Sequence, residues 1–269
     1  MEQNIEIADY KIFAKIEGEG SPLLMLHSYW GSQQLFDRMA NLLSGTRKVI
    51  RIDLPGHGNS GNPPANYSFE SFAVVLNELL IRLNIHEKVS IIGHSMGGYA
   101  ALAFAATYSE KITSLLLIHS PVRAADIKSI KLRERESRLL SNGKKELLLQ
   151  ATIPSNFAPE NLNKMDWALT LLNQTSLQVT TEGAVLTIQA MNQRRNYLPI
   201  LQQASYPVLI IIGKYDNVYN ADDQLHDAGQ IPNAEVLFLD HSGHLGFMEE
   251  EELVLTRLSE FITNTPYSP

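Results

Sequence analysis

Ser95 stands between Gly93 and Gly97 in the run IIGHSMGGYA, residues 91–100, where an apolar stretch gives way to small helix formers. A flexible turn needs one glycine. Two glycines around a serine at fixed spacing point instead to a tight backbone that leaves the hydroxyl outward. Other residues able to do chemistry also follow apolar runs: His27-Ser28-Tyr29 after PLLML, Asp53 after KVIRI, Asp216 shortly after PVLIIIG, and His244 shortly after AEVLFLD. A serine, an acid and a histidine in that chain order have the makings of a nucleophilic relay. Serine is a weak nucleophile at neutral pH and needs a base that titrates near 7, which histidine supplies. The imidazole in turn needs a carboxylate to fix its tautomer and to stabilise its cation. Glycines beside Ser95 permit a sharp strand-to-helix turn, and the helix that follows directs backbone N–H groups at a developing oxyanion. On the residues alone, Asp240 rivals Asp216 and His241 rivals His244.

The elements that must position these residues are readable from the apolar pattern. Six β-branched-rich runs begin at Pro22, Lys48, Val89, Ile112, Pro207 and Ala234, and they are continuous where a half-exposed strand would alternate. Such strands belong to a sheet covered on both faces. Helical periodicity falls at about Gln33–Leu43, Ser68–Asn84, Met96–Tyr108 and Glu249–Thr263, so strand and helix alternate and the class is α/β with a mainly parallel central sheet. The N-terminal IEIADYKIFAKIEGEG reads as a hairpin on its antiparallel edge. Residues 121–204 are Leu-rich, charged and helical in period, which predicts an inserted helical cap over one end of a core made of residues 1–120 and 205–269. In open parallel sheets, sites form outside the carboxyl ends of the strands, where all the residues above fall.

Composition narrows the classes. A formal charge of -7, with no Lys/Arg stripe, offers nothing to a nucleic-acid backbone. The absence of cysteine excludes disulfides, thiolate metal sites and a Cys nucleophile. No span-length apolar segment and no signal-like N-terminus is visible, so a cytoplasmic protein is expected. His27 and His94 read as structural groups around the turn, because a metal site needs several convergent ligands, and no metal is expected. PGHGNSGNPP lacks the Gly-Lys-Ser/Thr of a phosphate loop and reads as a turn that Asp53 fixes. No cofactor is implied.

Five segments in order resemble the α/β-hydrolase superfamily, in its serine-nucleophile, esterase-like branch with a helical cap. Gly93-His94-Ser95-Met96-Gly97 resembles the nucleophile elbow and LMLHSYWGS the His-Gly oxyanion loop. RIDLPGHGNS is similar to the Asp-x-x-Gly-x-Gly-x-Ser segment, IIIGKYDNV to the acid turn, and SGHLGFMEE to the terminal Gly-His. The resemblance implies an α/β-hydrolase fold, with Ser95 as nucleophile, His244 as general base and Asp216 as orienting acid. It also implies oxyanion donors at the backbone N–H groups of Met96 and Tyr29. One departure is Ser28, which stands where the family carries glycine, a residue chosen for positive φ or close approach.

The expected activity is that of a cofactor-independent serine hydrolase acting on a small or medium-sized ester through an acyl-enzyme. Serine at position 95 sets aside the branches that use an aspartate nucleophile. The same relay also serves carbon–carbon bond hydrolases and elimination enzymes, whose acidic substrates need cations such as Arg123, Arg194 or Arg195, and ligand receptors built on the fold. Ser28, Trp30, His94, Trp167, Met191 and Leu245 are the expected pocket wall, with Phe157 and Met165 as further apolar candidates.

Overall fold

The computed structural model describes residues 1–265. Eight strands form one sheet: β1 (Glu2–Ile7), β2 (Tyr10–Glu17), β3 (Pro22–Leu26), β4 (Lys48–Ile52), β5 (Val89–His94), β6 (Ile112–Ile118), β7 (Val208–Gly213) and β8 (Ala234–Leu239). Their spatial order is β1-β2-β4-β3-β5-β6-β7-β8. The β1–β2 hairpin pairs antiparallel, with Ile5 opposite Ile12, and β2 meets β4 antiparallel. All other pairings are parallel. Strands β3, β5 and β7 are buried along their whole length, as their unbroken apolar runs require. The outer strand β8 is less covered and leaves Val236 exposed.

Each helix of the core has a local cause. Helix α1 (Asp37–Leu43) follows a 3₁₀ turn at Gln33–Phe36 that opens at Ser32, where the expected single helix begins. Helix α2 (Phe69–Arg82) starts at a reciprocal cap in which Ser71 N–H donates to Ser68 Oγ at 3.0 Å and Ser68 N–H to Ser71 Oγ at 3.1 Å. Its stripe of Phe69, Phe72, Ala73, Leu76, Leu79 and Leu80 faces the core. Helix α3 (Met96–Thr107) is buried nearly all round, which its small residues allow.

Between β6 and β7 lie α4 (Ile127–Ser141), α5 (Lys145–Ser155), α6 (Asp166–Gln178), α7 (Thr181–Gln193) and α8 (Leu198–Leu201), without a strand. They meet the loops at the carboxyl ends of the strands: Thr175 Oγ1 donates to the Trp30 carbonyl at 3.3 Å and His244 N–H to the Asn156 carbonyl at 2.7 Å. Gly56 and Gly183 touch backbone to backbone, where a Cβ on Gly56 would stand 2.8 Å from Gly183 Cα.

Two details depart from the pattern-based reading. Helix α9 (Ala221–Ala228) was not expected, because ADDQLHDA carries little apolar periodicity; the Asn220 side chain caps it by accepting Asp223 N–H at 2.9 Å. The C-terminal helix is broken into α10 (Gly246–Glu249) and α11 (Glu251–Asn264). That break lets both acids before it hold the loop at 241–243. Glu249 accepts Gly243 N–H at 2.8 Å, and Glu250 accepts Ser242 Oγ–H at 2.6 Å and His241 N–H at 3.1 Å.

Candidate active site

Ser95 occupies the turn from β5 into α3 with φ +52° and ψ -113°. A left-handed conformation at a residue with a side chain stores about 1–3 kcal/mol of strain, and such strain persists only where neighbours enforce it. Here Ser95 N–H donates to the Ile118 carbonyl at 2.9 Å, and Ser120 Oγ–H to the Ser95 carbonyl at 2.8 Å. The flanking glycines do not carry the strain themselves. They permit close approach: a Cβ on Gly97 would lie 2.0 Å from the Leu26 carbonyl oxygen, and one on Gly93 would lie 2.5 Å from Gly98 Cα. The helix is thereby pressed against both β5 and the end of β3, and Ser95 is held at the carboxyl end of the sheet.

Ser95 Oγ lies 2.9 Å from His244 Nε2, and His244 Nδ1 lies 2.9 Å from Asp216 Oδ2. The other Asp216 oxygen accepts Val218 N–H at 2.8 Å and Tyr219 N–H at 3.0 Å. Burial alone would raise the Asp216 pKa; the His244 charge and the imidazole donors of His244 and His119 outweigh it and hold the carboxyl well below its usual range. The rivals stand apart. Asp240 is exposed and pairs with Lys214 at 3.1 Å, and His241 is exposed and contacts Glu160 at 2.8 Å.

His119 is the residue that sequence reasoning missed, although it ends β6 as Ser95 ends β5. Its Nε2 accepts Gly246 N–H at 3.0 Å, so the neutral ring carries its proton on Nδ1, which faces Asp216 Oδ2 at 3.5 Å. Ligand atoms of His119, Asp216 and His244 fall within 4.8 Å of one another, a spacing a metal could use. The donor set argues otherwise. A protonated His119 Nδ1 and a His244 Nδ1–H directed at the carboxylate leave no nitrogen lone pair aimed at a common point.

Met96 opens α3, and neither its amide nor that of Tyr29 donates to a backbone carbonyl among the described residues. The loop holding Tyr29 is fixed by its neighbours. His27 Nδ1–H donates to the Ser28 carbonyl at 2.8 Å, while His27 Nε2 accepts Leu54 N–H at 2.8 Å. The left-handed residue of this loop is Trp30, at φ +64°, and not Ser28. Serine in place of glycine therefore carries no positive-φ strain. Asp53 ties this loop to the next, accepting Gln33 N–H at 2.7 Å and Asn59 N–H at 2.8 Å, as a turn-fixing acid should.

Comparison with known proteins gives the family and the fold. The sequence model of a family described as alpha/beta hydrolase fold matches residues 21–251. The chain belongs to that family. Among curated relatives of this α/β hydrolase, Lipase 3 of Moraxella sp. (strain TA144) is 27% identical over 86% of the chain and 73% of the lipase. A putative 2-succinyl-6-hydroxy-2,4-cyclohexadiene-1-carboxylate synthase of Bacillus subtilis (strain 168) is 26% identical over 97% of the chain and 98% of its own length. Among solved structures, a thermophilic esterase from Thermogutta terrifontis superposes with a TM-score of 0.92 at 23% identity, covering 98% of this chain and 99% of that one. An enol-lactonase from Burkholderia xenovorans LB400 reaches 0.89 at 20% identity, over 97% and 100%. At those identities the structural likeness concerns the fold. No helix among the described residues is long and apolar enough to cross a membrane.

The expected pocket wall of this α/β hydrolase divides. Ser28, Trp30, Met191 and Leu245 are buried, and Trp30 Nε1–H reaches across to Glu136 on α4 at 3.2 Å. His94 is a correction: it is fully buried behind the relay, donating Nε2–H to the His244 carbonyl at 2.9 Å, and so supports the histidine loop without lining a pocket. Trp167 is another. It is 39% exposed and lies under the Arg38 guanidinium at 5.0 Å, on the outer surface. The proposed anion holders are otherwise engaged: Arg123 pairs with Asp227 at 2.6 Å, Arg194 stacks 4.4 Å from the Tyr99 ring, and Arg195 is exposed. Phe157 is fully buried and Met165 packs against the core.

The buried histidines give a pH prediction. Burial pushes His27 down to about 3, helped by the neighbouring His57, and burial pushes His57 down to about 4. In the unfolded chain both titrate near 6.5, so between about pH 6.5 and 4 the unfolded state binds more protons. Stability is therefore full above that range and falls with acid, by about 1.4 kcal/mol per pH unit for each histidine. Urea midpoints taken at pH 7 and pH 5 should reveal this loss, and H27N should lessen the slope by about one proton.

Proposed function

We propose that this α/β hydrolase cleaves a small or medium-sized carboxylic ester through an acyl-enzyme, with Ser95 as nucleophile, His244 as general base and Asp216 as the acid that orients it. The observation that carries this reading is the unbroken hydrogen-bond chain from Asp216 through His244 to Ser95, 2.9 Å at each link. With Nδ1–H donated to Asp216, His244 presents its Nε2 lone pair to the serine hydroxyl. As Ser95 Oγ bonds to the carbonyl carbon, its proton passes to Nε2 and the carbonyl oxygen becomes an oxyanion. The free amides of Met96 and Tyr29 are the donors assigned to that oxygen. The imidazolium then protonates the leaving alcohol. A water molecule, deprotonated by His244, attacks the acyl carbon; the acyl–Oγ bond then breaks, the imidazolium returns the proton to Ser95 Oγ, and the carboxylic acid leaves. The names of the Moraxella lipase and the Thermogutta esterase support an ester as the bond cleaved.

Intact-mass analysis after exposure to a small fluorophosphonate tests the proposal. A single adduct on wild type, none on Ser95→Ala, and release of product from a graded series of acyl esters are expected. An adduct without turnover of any ester would remove the ester reading and leave carbon–carbon cleavage or elimination by the same relay. No adduct would remove the nucleophile.

A further inference from the structure

Arg133, on the inner side of α4, is only 8% exposed, although its surroundings in sequence, KLRERESRLL, look like a solvated helix face. Its Nη2–H donates to the Tyr219 hydroxyl at 3.2 Å, while the buried Nη1 has no partner. No carboxylate lies within 4.0 Å of the guanidinium among the described residues, in contrast to Arg51 and Arg123. A guanidinium stays charged at any physiological pH, so it cannot escape burial by losing its proton. Buried charges are ordinarily paired. This one is held in place by a neutral hydroxyl and leaves a buried donor nitrogen, Nη1, without a partner.

Its position relates it to the reacting groups. Tyr219 follows Asp216 by three residues, donates its amide to that carboxylate at 3.0 Å, and places its ring 5.5 Å from the His244 ring. The Tyr219 hydroxyl also bonds the hydroxyl of Tyr99, one turn along α3 from Ser95. Arg194, likewise buried and without an ion-pair partner, covers the Tyr99 ring at 4.4 Å. Two buried cations thus flank one pair of hydroxyls beside the relay. The nearby acid on α4, Glu136, is occupied by the Trp30 indole at 3.2 Å, and burial raises its pKa toward the neutral form.

We infer that Arg133 recognises a free carboxylate on the substrate, so that the preferred esters are half-esters of short dicarboxylic acids or esters of short hydroxy acids. The inference rests on the ester-hydrolase reading and adds the substrate class to it. A planar carboxylate brought against the unpartnered Nη1 serves as its charge-assisted acceptor and adds the close counter-charge that no side chain among the described residues provides within 4.0 Å. The ester carbonyl is thereby held at a fixed distance from the anchor, which makes chain length a determinant of rate.

The test compares kcat/KM for monoethyl succinate, glutarate and adipate, and for 4-acetoxybutyrate, with that for ethyl butyrate, in wild type, Arg133→Met and Arg133→Lys. Wild type is expected to favour at least one carboxylated ester by tenfold or more. In Arg133→Met that preference should collapse at least tenfold, mainly through KM, and Arg133→Lys should retain part of it. An equal fall on charged and neutral esters would make Arg133 a structural residue and overturn the inference, as would a wild type with no preference. Calorimetric titration of Ser95→Ala with glutarate and with monoethyl glutarate, with and without Arg133→Met, separates the two readings. Binding that needs Arg133 supports the carboxylate anchor even if wild type turns over no ester. Binding indifferent to Arg133, or none, removes the anchor and leaves the hydrolase reading to its own test.

Discussion

Ser95→Ala is expected to lower kcat for ester hydrolysis by about a million-fold, since nucleophile and base act as a unit and loss of either removes nearly all their joint effect. The fold should survive. Ser95 is buried, yet its hydroxyl has His244 Nε2 as its hydrogen-bond partner, and losing that one bond costs about 1 kcal/mol. The strained backbone sharpens the experiment. Alanine at φ +52° keeps the strain of serine, whereas glycine is at ease there, so Ser95→Gly should exceed Ser95→Ala in stability by about 1 kcal/mol while being equally inactive. Urea unfolding of the three proteins beside an ester assay reads both quantities. Residual turnover above a thousandth of wild type in either variant would place the nucleophile elsewhere.

The sheet and the placement of the candidate relay residues along it were legible because each depends on short, local signals. Short unbroken apolar runs rich in β-branched residues and bounded by Pro and Gly, such as PVLIIIG, read as covered strands, and the order of Ser95, Asp216 and His244 follows from which strand each one ends. What stayed hidden depends on distant packing. His119 sits at a strand end like Ser95, but its role rests on Gly246 meeting its Nε2, a contact between residues 127 apart in sequence. Arg133 was hidden by its charged neighbours, since a helix in isolation does not reveal which of its arginines turns inward toward Tyr219. Trp167 failed in the opposite direction: a large apolar ring suggested a pocket wall, but the ring lies on the outer surface beneath Arg38. The elbow glycines were legible as the makers of a tight turn; why glycine in particular stands at 93 and 97 was not. Steric crowding against Leu26 and Gly98 was the cause, and crowding is visible only once the helix is laid on the sheet.

Asp216→Asn is expected to lower kcat by about ten-thousand-fold with KM little changed, and the reason lies in four donors that converge on one carboxylate. Oδ1 accepts two backbone amides, from Val218 and Tyr219; Oδ2 accepts His244 Nδ1–H and faces His119 Nδ1–H. An asparagine offers one oxygen and one NH₂. The two amides cannot reorient, so the oxygen turns to them and the NH₂ turns to His244. To avoid opposing donors the imidazole must then place its proton on Nε2, and in that tautomer it cannot accept the proton of Ser95, a mispairing of the kind that costs about 10⁴ in rate. The nitrogen shifts of His244 in ¹⁵N NMR read this directly: Nδ1 protonated in wild type, Nε2 in the variant. Stability should fall by about 1–3 kcal/mol, because an NH₂ then replaces the charged oxygen that faces His119 Nδ1–H at 3.5 Å in a buried site. The matching change at the surface, Asp240→Asn, removes an exposed pair with Lys214 and should alter kcat by no more than about twofold. A thousand-fold loss from Asp240→Asn, or an unchanged tautomer in Asp216→Asn, would reassign the acid.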